Sequence, residues 1–357
     1  FKHILSVGDY KKSVREPPKP FHTSRLLQVA SNVLHMSPKD TMNICQKLYQ
    51  GGFITYMRTE STSYSKSYIE GVSKYIENRF NNKKYIGNIE KLENTDINNP
   101  HEAIRVTQIS LSNLGNCEDR RMNTMYKLIW NNSIESCMSS AIYNVSHIKI
   151  TAPLDNEYVH TIEIPSFLGW KKLGEGEPTN TENELTALRM NLINIANKGN
   201  PVSYNTIKSE THIINKKRHY TEASLINKLE ELGIGRPSTF ATIVDTILER
   251  GYVKITDIEG KKIQCKEYEL IGDQITITDI EKEFGGEKKK LVIEPVGILT
   301  IEFLLGYFEN MFSYEYTKNM EYELDKVSCG ELTDWTVICR NSVIDIDKQM
   351  ENLTAIP

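Results

Sequence analysis

The hydrophobic period of this chain changes along its length, and that change limits its fold more than any single residue does. Between Thr23 and Met138 apolar side chains recur at helical spacing, from Tyr143 to Tyr204 they fall into short β-runs, and from Glu222 helical spacing returns. Helix, sheet and helix in succession predict an α+β chain, and 357 residues suffice for two or three domains. The helical stretch divides at its punctuation. Leu26, Leu27, Ala30 and Leu34 mark one helix over 23–34, and a second is expected from Lys39 to Tyr49, after Ser37-Pro38 and before Gly51-Gly52. Phe53 to Met57 reads as a short strand, Ser65 to Asn78 as a helix, the Asn-rich stretch up to Pro100 as a loop, and 121–138 as another helix.

In the central stretch, His147–Ile150 and Val159–Ile164 alternate polar with apolar residues, Phe167 to Trp170 reads as a packed turn, and 174–184 as a polar loop. Residues 1–20 end in Pro17-Pro18-Lys19-Pro20, an extended connector. Further on, Thr221 caps a helix from Glu222 to Leu232 whose Leu225, Ile226 and Leu229 point inward. Gly233-Ile234-Gly235 turns the chain into a second helix from Thr239 to Arg250. Two β-runs, Tyr252–Thr256 and Lys262–Glu267, then face each other across a Gly260 turn. Helix-turn-helix plus hairpin is winged-helix-like, although a purely structural helical hairpin has the same signature. The stripe Leu299, Phe303, Leu304, Tyr307, Phe308 and Met311 reads as helix core rather than a base-stacking platform.

One heptapeptide carries candidate chemistry: Ile54-Thr55-Tyr56-Met57-Arg58-Thr59-Glu60. A tyrosine hydroxyl is a possible covalent nucleophile, and in an extended segment Tyr56 and Arg58 share a face, where both reach one phosphate. Phosphoryl transfer asks chiefly for such positioning and positive charge. His101 and Arg105 lie four apart after Pro100, a spacing that on a helix sets imidazole and guanidinium on one face. A packing role accounts for a tyrosine equally well among 18 of them, and a lone histidine is more often structural.

The stretch Gly52-Phe53-Ile54-Thr55-Tyr56-Met57-Arg58-Thr59-Glu60-Ser61 resembles the active-site signature of type IA DNA topoisomerases, G-[LY]-I-T-Y-M-R-T-D-S. Three further blocks match that family in order: Pro20 to Gln28 (P-F-T-T-S-T-L-Q), His101 to Thr107 (H-E-A-I-R-P-T), and Tyr220 to Leu225 with Gly233 to Ala241 (Y-T-E-A-S-L…G-I-G-R-P-S-T-Y-A). The M-R-T and H-E-A-I-R forms look like the bacterial topoisomerase I branch, and Tyr316-Thr317-Lys318-Asn319-Met320-Glu321 resembles the family's F-T-x-x-M-E. Glu60 stands where the family has Asp and Val106 where it has Pro, and neither change removes a proposed catalytic group.

The resemblance implies a multidomain α+β toroid. Its expected divisions are a β-rich arch from 1–20 and 142–218, a tyrosine domain over 21–141, and a winged-helix-like DNA-binding domain over 219–357. It implies Tyr56, Arg58 and His101 as catalytic residues, with Arg105, Arg236, Ser238 and Thr239 contacting DNA. A helix N-terminus at Ser238 and Thr239, beside the fork of donors on Arg236, suits a phosphate. Single-stranded DNA is the expected partner, and no ATP is needed. Family members carry a TOPRIM domain whose Glu and Asp-x-Asp-x-Asp cluster binds magnesium. No such triplet occurs here, Asp345-Ile346-Asp347 coming nearest, so Mg2+ is expected on a TOPRIM domain acting in cis or trans and no metal site on this chain. The alternatives are a single-stranded DNA-binding fragment unable to cleave without that half, and an unrelated tyrosine nuclease or recombinase, which leaves the Arg236 block unexplained.

Charge is nearly balanced, with 47 acidic against 43 basic residues, so nucleic-acid contact must come from local clusters such as Lys208 or Lys216-Lys217-Arg218-His219, while Lys288–Lys290 reads as solvated surface. Six cysteines without a C-x-x-C pair argue against a zinc site and fit a reducing compartment. No run approaches ~20 apolar residues, so no membrane span is expected. Phe1 opens the chain without a recognisable signal peptide, and an intracellular, cytoplasmic or nucleoid-associated location is expected.

Overall fold

A computed structural model describes residues 1–95, 101–115, 119–174 and 181–354. Pro100, Cys117 and residues 175–180, which entered the expectations above, lie outside the described residues. In chain order the elements are β1 (Leu5–Val7), β2 (Lys11–Arg15), α1 (Thr23–Val29), α2 (Pro38–Gln50), α3 (Lys66–Phe80), α4 (Arg120–Glu135), β3 (Ala141–Thr151), β4 (Glu157–Phe167), α5 (Thr181–Asn197) and β5 (Ile207–Ser209). There follow α6 (Glu222–Glu231), α7 (Phe240–Glu249), β6 (Val253–Ile258), β7 (Lys261–Ile271), β8 (Gln274–Phe284), β9 (Glu287–Ile293), α8 (Pro295–Phe308), α9 (Tyr314–Ser328) and α10 (Thr336–Thr354). The chain is therefore mixed helix and sheet, as its changing period predicts.

The best-packed body is helical. α2 starts where Ser37 accepts a hydrogen bond from the Asp40 amide at 3.1 Å with Pro38 in the first turn, and it buries Thr41, Ile44, Cys45 and Leu48 on one stripe. It ends in a Schellman turn: Gly52 takes φ +72°, its amide reaches the Tyr49 carbonyl, and the Phe53 amide reaches that of Leu48, both at 2.9 Å. Only a residue tolerant of positive φ sits comfortably there, and the turn throws the tyrosine segment back across the domain. α3 and α4 close the core, where Val72, Ile76, Met125, Tyr126 and Ile129 are fully buried with Ile54 and Ile104.

Two expectations fail in this region. Phe53–Met57 forms no strand but only an isolated bridge, Ile54 to Val106. Residues 101–105 form no helix either. The Ala103 amide bonds to the Ser63 carbonyl, Ile104 to Phe21, and Thr55 to the Arg105 carbonyl, so the segment's main-chain groups are taken by neighbouring segments rather than by an i−4 ladder.

The β-rich part is a four-stranded antiparallel sheet. β3 is central, with β1 and β2 sharing one edge and β4 along the other. Residues 1–20 are thus sheet partners as well as a connector. α5 lies across this sheet, setting Leu185, Leu192 and Ala196 against Leu5, Ile148, Ile162 and Ile164, a helix that the β-run reading of 143–204 misses. The Phe167–Trp170 turn becomes a 3-10 helix over Gly169–Leu173.

α6 and α7 form the expected helical hairpin, opened by a capping box between Thr221 and Ser224 and turned by Gly233 (φ +70°) and Gly235 (φ +85°). The expected wing does not form. β6 pairs with β9 and β7 with β8 and β5, so the two runs across Gly260 belong to different sheets. The stripe on α8 also departs from expectation: Leu299 and Phe303 are exposed rather than core. No helix among the described residues is long and apolar enough to cross a membrane.

Candidate active site

From Tyr56 to Glu60 side chains alternate outward and inward: Tyr56 and Arg58 are exposed, and Met57 and Thr59 are 1% and 3% exposed. Tyr56 and Arg58 are therefore both open to solvent, although the segment is not a strand. The segment is pinned from one side by Thr55, whose hydroxyl bonds to the Ala103 carbonyl (2.9 Å) and takes a bond from the Arg105 amide (3.0 Å). That lacing brings His101 to Tyr56. Their ring centroids lie 6.1 Å apart at 30°, while Tyr49 meets Tyr56 edge-on at 5.3 Å. Tyr56 thus has a ring neighbour from α2 and another from the 101–107 segment.

Arg105 is turned to another task. Its guanidinium donates twice to Glu102, at 2.9 and 2.7 Å, once to the Val106 carbonyl at 3.0 Å, and it lies over the Tyr68 ring at 4.5 Å. Glu102 also accepts from the Ser65 amide at 3.1 Å, so this pair joins the His101 segment to the start of α3.

The Arg236 turn lies beside the tyrosine loop. Arg236 Nη2 is 2.6 Å from Asp325 of α9, Nη1 is 3.4 Å from Glu321, and Nε is 3.9 Å from Glu60 at the loop's end. Nη1 also donates to the Gly235 carbonyl at 2.8 Å. A cleft of about 410 Å³ runs past Arg236, Glu60, Asp325, His22 and Glu230. Its charge shapes its chemistry: burial pushes the Glu60 carboxyl up against the pull of Arg236, and burial lowers the His22 imidazole although Glu230 opposes this. The hydrogen bond to Asp325 holds the Arg236 guanidinium still more firmly protonated.

Ser238 and Arg58 line a second cavity of about 190 Å³, together with Lys39, Asn43, Thr242 and Asp245. Thr239 stands at the N-terminus of α7, where its hydroxyl accepts from the Arg236 amide at 2.8 Å and caps no helical N–H. The structure therefore gathers Tyr56 with His101 and Arg58 with Ser238, and reaches Arg236 through Glu60. Sequence reasoning missed Glu60, Glu321 and Asp325 as partners of Arg236. The Tyr316–Glu321 segment was the available signal, since it already carried a resemblance. A further cavity of about 810 Å³ between α7, α8 and β9 is lined by none of these residues. Among the described residues no group of three or more His, Cys, Asp or Glu side chains is arranged to hold a metal ion.

Comparison with known proteins agrees with the motif blocks. A family model described as DNA topoisomerase matches residues 2–267. The prokaryotic-type DNA topoisomerase 1 of Acanthamoeba polyphaga mimivirus is 36% identical over 92% of this chain, and DNA topoisomerase 1 of Rickettsia felis is 30% identical over 95%. The chain spans 40% and 41% of the lengths of those two relatives. The solved full-length topoisomerase I of Thermotoga maritima superposes with a TM-score of 0.68 at 25% identity, over 98% of this chain and 52% of that one.

Proposed function

The chain belongs to the type IA DNA topoisomerase family, and from that premise we propose that it is the tyrosine-bearing part of an enzyme that cleaves and rejoins one DNA strand. In this reading the Tyr56 oxygen attacks a backbone phosphorus of single-stranded DNA. A phosphotyrosine bond forms to the 5′-phosphoryl end, the bond to the 3′-oxygen breaks, and that oxygen leaves as a hydroxyl after taking up a proton. Rejoining reverses the step after a strand has passed, and the phosphotyrosine bond conserves the energy of the broken one, so ATP is not required. Arg58 faces the charge that develops on the non-bridging oxygens. His101 lies against the tyrosine ring, where it orients the nucleophile and handles a proton.

The observation that carries the proposal is the placement of His101 against the Tyr56 ring, with Arg58 exposed two residues further on and lining a cavity shared with Ser238. Arg236, Ser238 and Thr239 would hold a neighbouring backbone phosphate. We assign Arg105 to holding the His101 segment through Glu102, and not to DNA. Magnesium and a TOPRIM domain enter as partners of this chain. No step above is routed through the metal.

The test is incubation with labelled single-stranded oligonucleotide, with and without a TOPRIM segment and magnesium. A covalent adduct that needs the added segment supports the proposal. Tight binding without an adduct under either condition supports the second reading, a fragment that binds DNA and does not cut.

A further inference from the structure

The first residue of α1, Thr23, is 1% exposed, and its hydroxyl meets three main-chain groups of the tyrosine loop. Its Oγ1 lies 2.8 Å from the Met57 carbonyl, 3.1 Å from the Thr59 carbonyl, and accepts from the Thr59 amide at 2.9 Å. The Thr23 amide donates to the Thr59 carbonyl at 3.0 Å. A hydroxyl has one proton to give and lone pairs to receive, so one side chain serves a carbonyl on one side of Arg58 and an amide on the other. Both main-chain groups of Thr59 end on Thr23. This fixes the backbone between Met57 and Thr59, and with it the directions in which Tyr56 and Arg58 leave the loop.

The anchor behind the clamp is firm. Leu27 on the same short helix is 0% exposed, within a cluster formed with Ile226, Phe240 and Val244 of α6 and α7. The hairpin that carries Arg236 and the loop that carries Tyr56 are therefore joined through α1. We infer that Thr23 is a positioning residue for Tyr56 and Arg58, and this rests on the proposed role of Tyr56. It touches neither substrate nor reacting atoms. It holds the loop in the one arrangement in which nucleophile and cation face the same phosphate.

Thr23→Val keeps the shape and deletes the hydroxyl, Thr23→Ser keeps the hydroxyl, and Thr23→Ala serves if the valine variant does not fold. Amide hydrogen exchange on the chain alone should show the Thr59 amide about tenfold faster in the valine or alanine variant. Amides in α3 and α4 should keep the wild-type rate, and serine should restore Thr59. With a TOPRIM segment and magnesium supplied, adduct formation per bound oligonucleotide should fall ~10–100-fold in the valine variant at unchanged affinity, and serine should recover most of it. Wild-type exchange at Thr59 in the valine variant would overturn the clamp. Faster exchange with an undiminished adduct rate would overturn the positioning role, as would failure of serine to rescue. If the wild-type protein itself makes no adduct at Tyr56, the functional reading fails first, and the positioning role goes with it whatever the exchange rates show.

Discussion

Replacing Arg236 by alanine separates a phosphate contact from a packing contact, because the two make different demands on stability and affinity. Arg236 is about a quarter exposed and Asp325 about half, so their pair is well screened despite the 2.6 Å approach. Screened pairs contribute ~0.2–1 kcal/mol. Adding the lost bond to the Gly235 carbonyl and the repulsion left among Glu60, Glu321 and Asp325 gives a destabilisation of about 1–2 kcal/mol. For a chain of this size that lowers Tm by roughly 1–3 °C. A phosphate must displace Asp325 to reach the guanidinium, so the ~1.5–3 kcal/mol of a charge-assisted bond is reduced by the cost of breaking that pair. The remaining ~1–2 kcal/mol predicts a loss of about 5–30-fold in affinity for single-stranded DNA of any sequence. Releasing one phosphate contact should flatten the slope of log affinity against log salt by ~0.7. Asp325→Asn removes the competitor without touching the donor, and should tighten binding about two- to fivefold. Both variants are read by oligonucleotide fluorescence anisotropy across a salt series, with melting measured on the same samples. A lower Tm with unchanged affinity and slope in Arg236→Ala would show that this arginine only packs its turn.

Other outcomes follow from the same geometry. Arg58→Lys keeps the charge and loses the planar fork, so with a TOPRIM segment supplied the single-turnover cleavage rate should fall ~10²–10³-fold; an unchanged rate would remove the oriented role. Glu102→Ala leaves the Arg105 guanidinium mostly buried without its carboxylate, and should cost about 2–3 kcal/mol in urea unfolding. Burial pushes the Glu135 carboxyl up to about 7. Because its folded pKa exceeds the unfolded value, the native state holds the extra proton between roughly pH 4.5 and 7, so stability should decline as pH rises through that window and level off above it. Glu135→Gln should flatten that part of the profile in melts from pH 4.5 to 8, and an unaltered profile would assign the dependence elsewhere.

Much of this arrangement is legible from sequence where local chemistry and tertiary structure agree. The Ser37-Pro38 start and Gly51-Gly52 end of α2, and the Thr221 cap of α6, are local rules that the packed structure keeps. What escaped depends on distant partners. Residues 101–105 have helical spacing, yet Thr55, Ser63 and Phe21 supply main-chain bonds that draw the segment into an extended path. The Lys262–Glu267 run reads as a wing only while its pairing is assumed to be local; β8 and β5 take that strand, and β9 takes its neighbour. Arg236 announced itself as an anion donor, whereas its carboxylate partners are 85 or more residues away on α9, or far upstream at Glu60, beyond any spacing rule.

The central claim concerns one oxygen atom, and peptide mapping of the trapped adduct tests it directly. The chain is incubated with single-stranded oligonucleotide, a TOPRIM segment and magnesium, denatured, digested with nuclease and protease, and read by mass spectrometry. The account predicts a 5′-phosphoryl nucleotide on the peptide containing Tyr56, and no adduct from Tyr56→Phe at undiminished oligonucleotide affinity. A nucleotide on any other residue, or an adduct that survives that substitution, would contradict it.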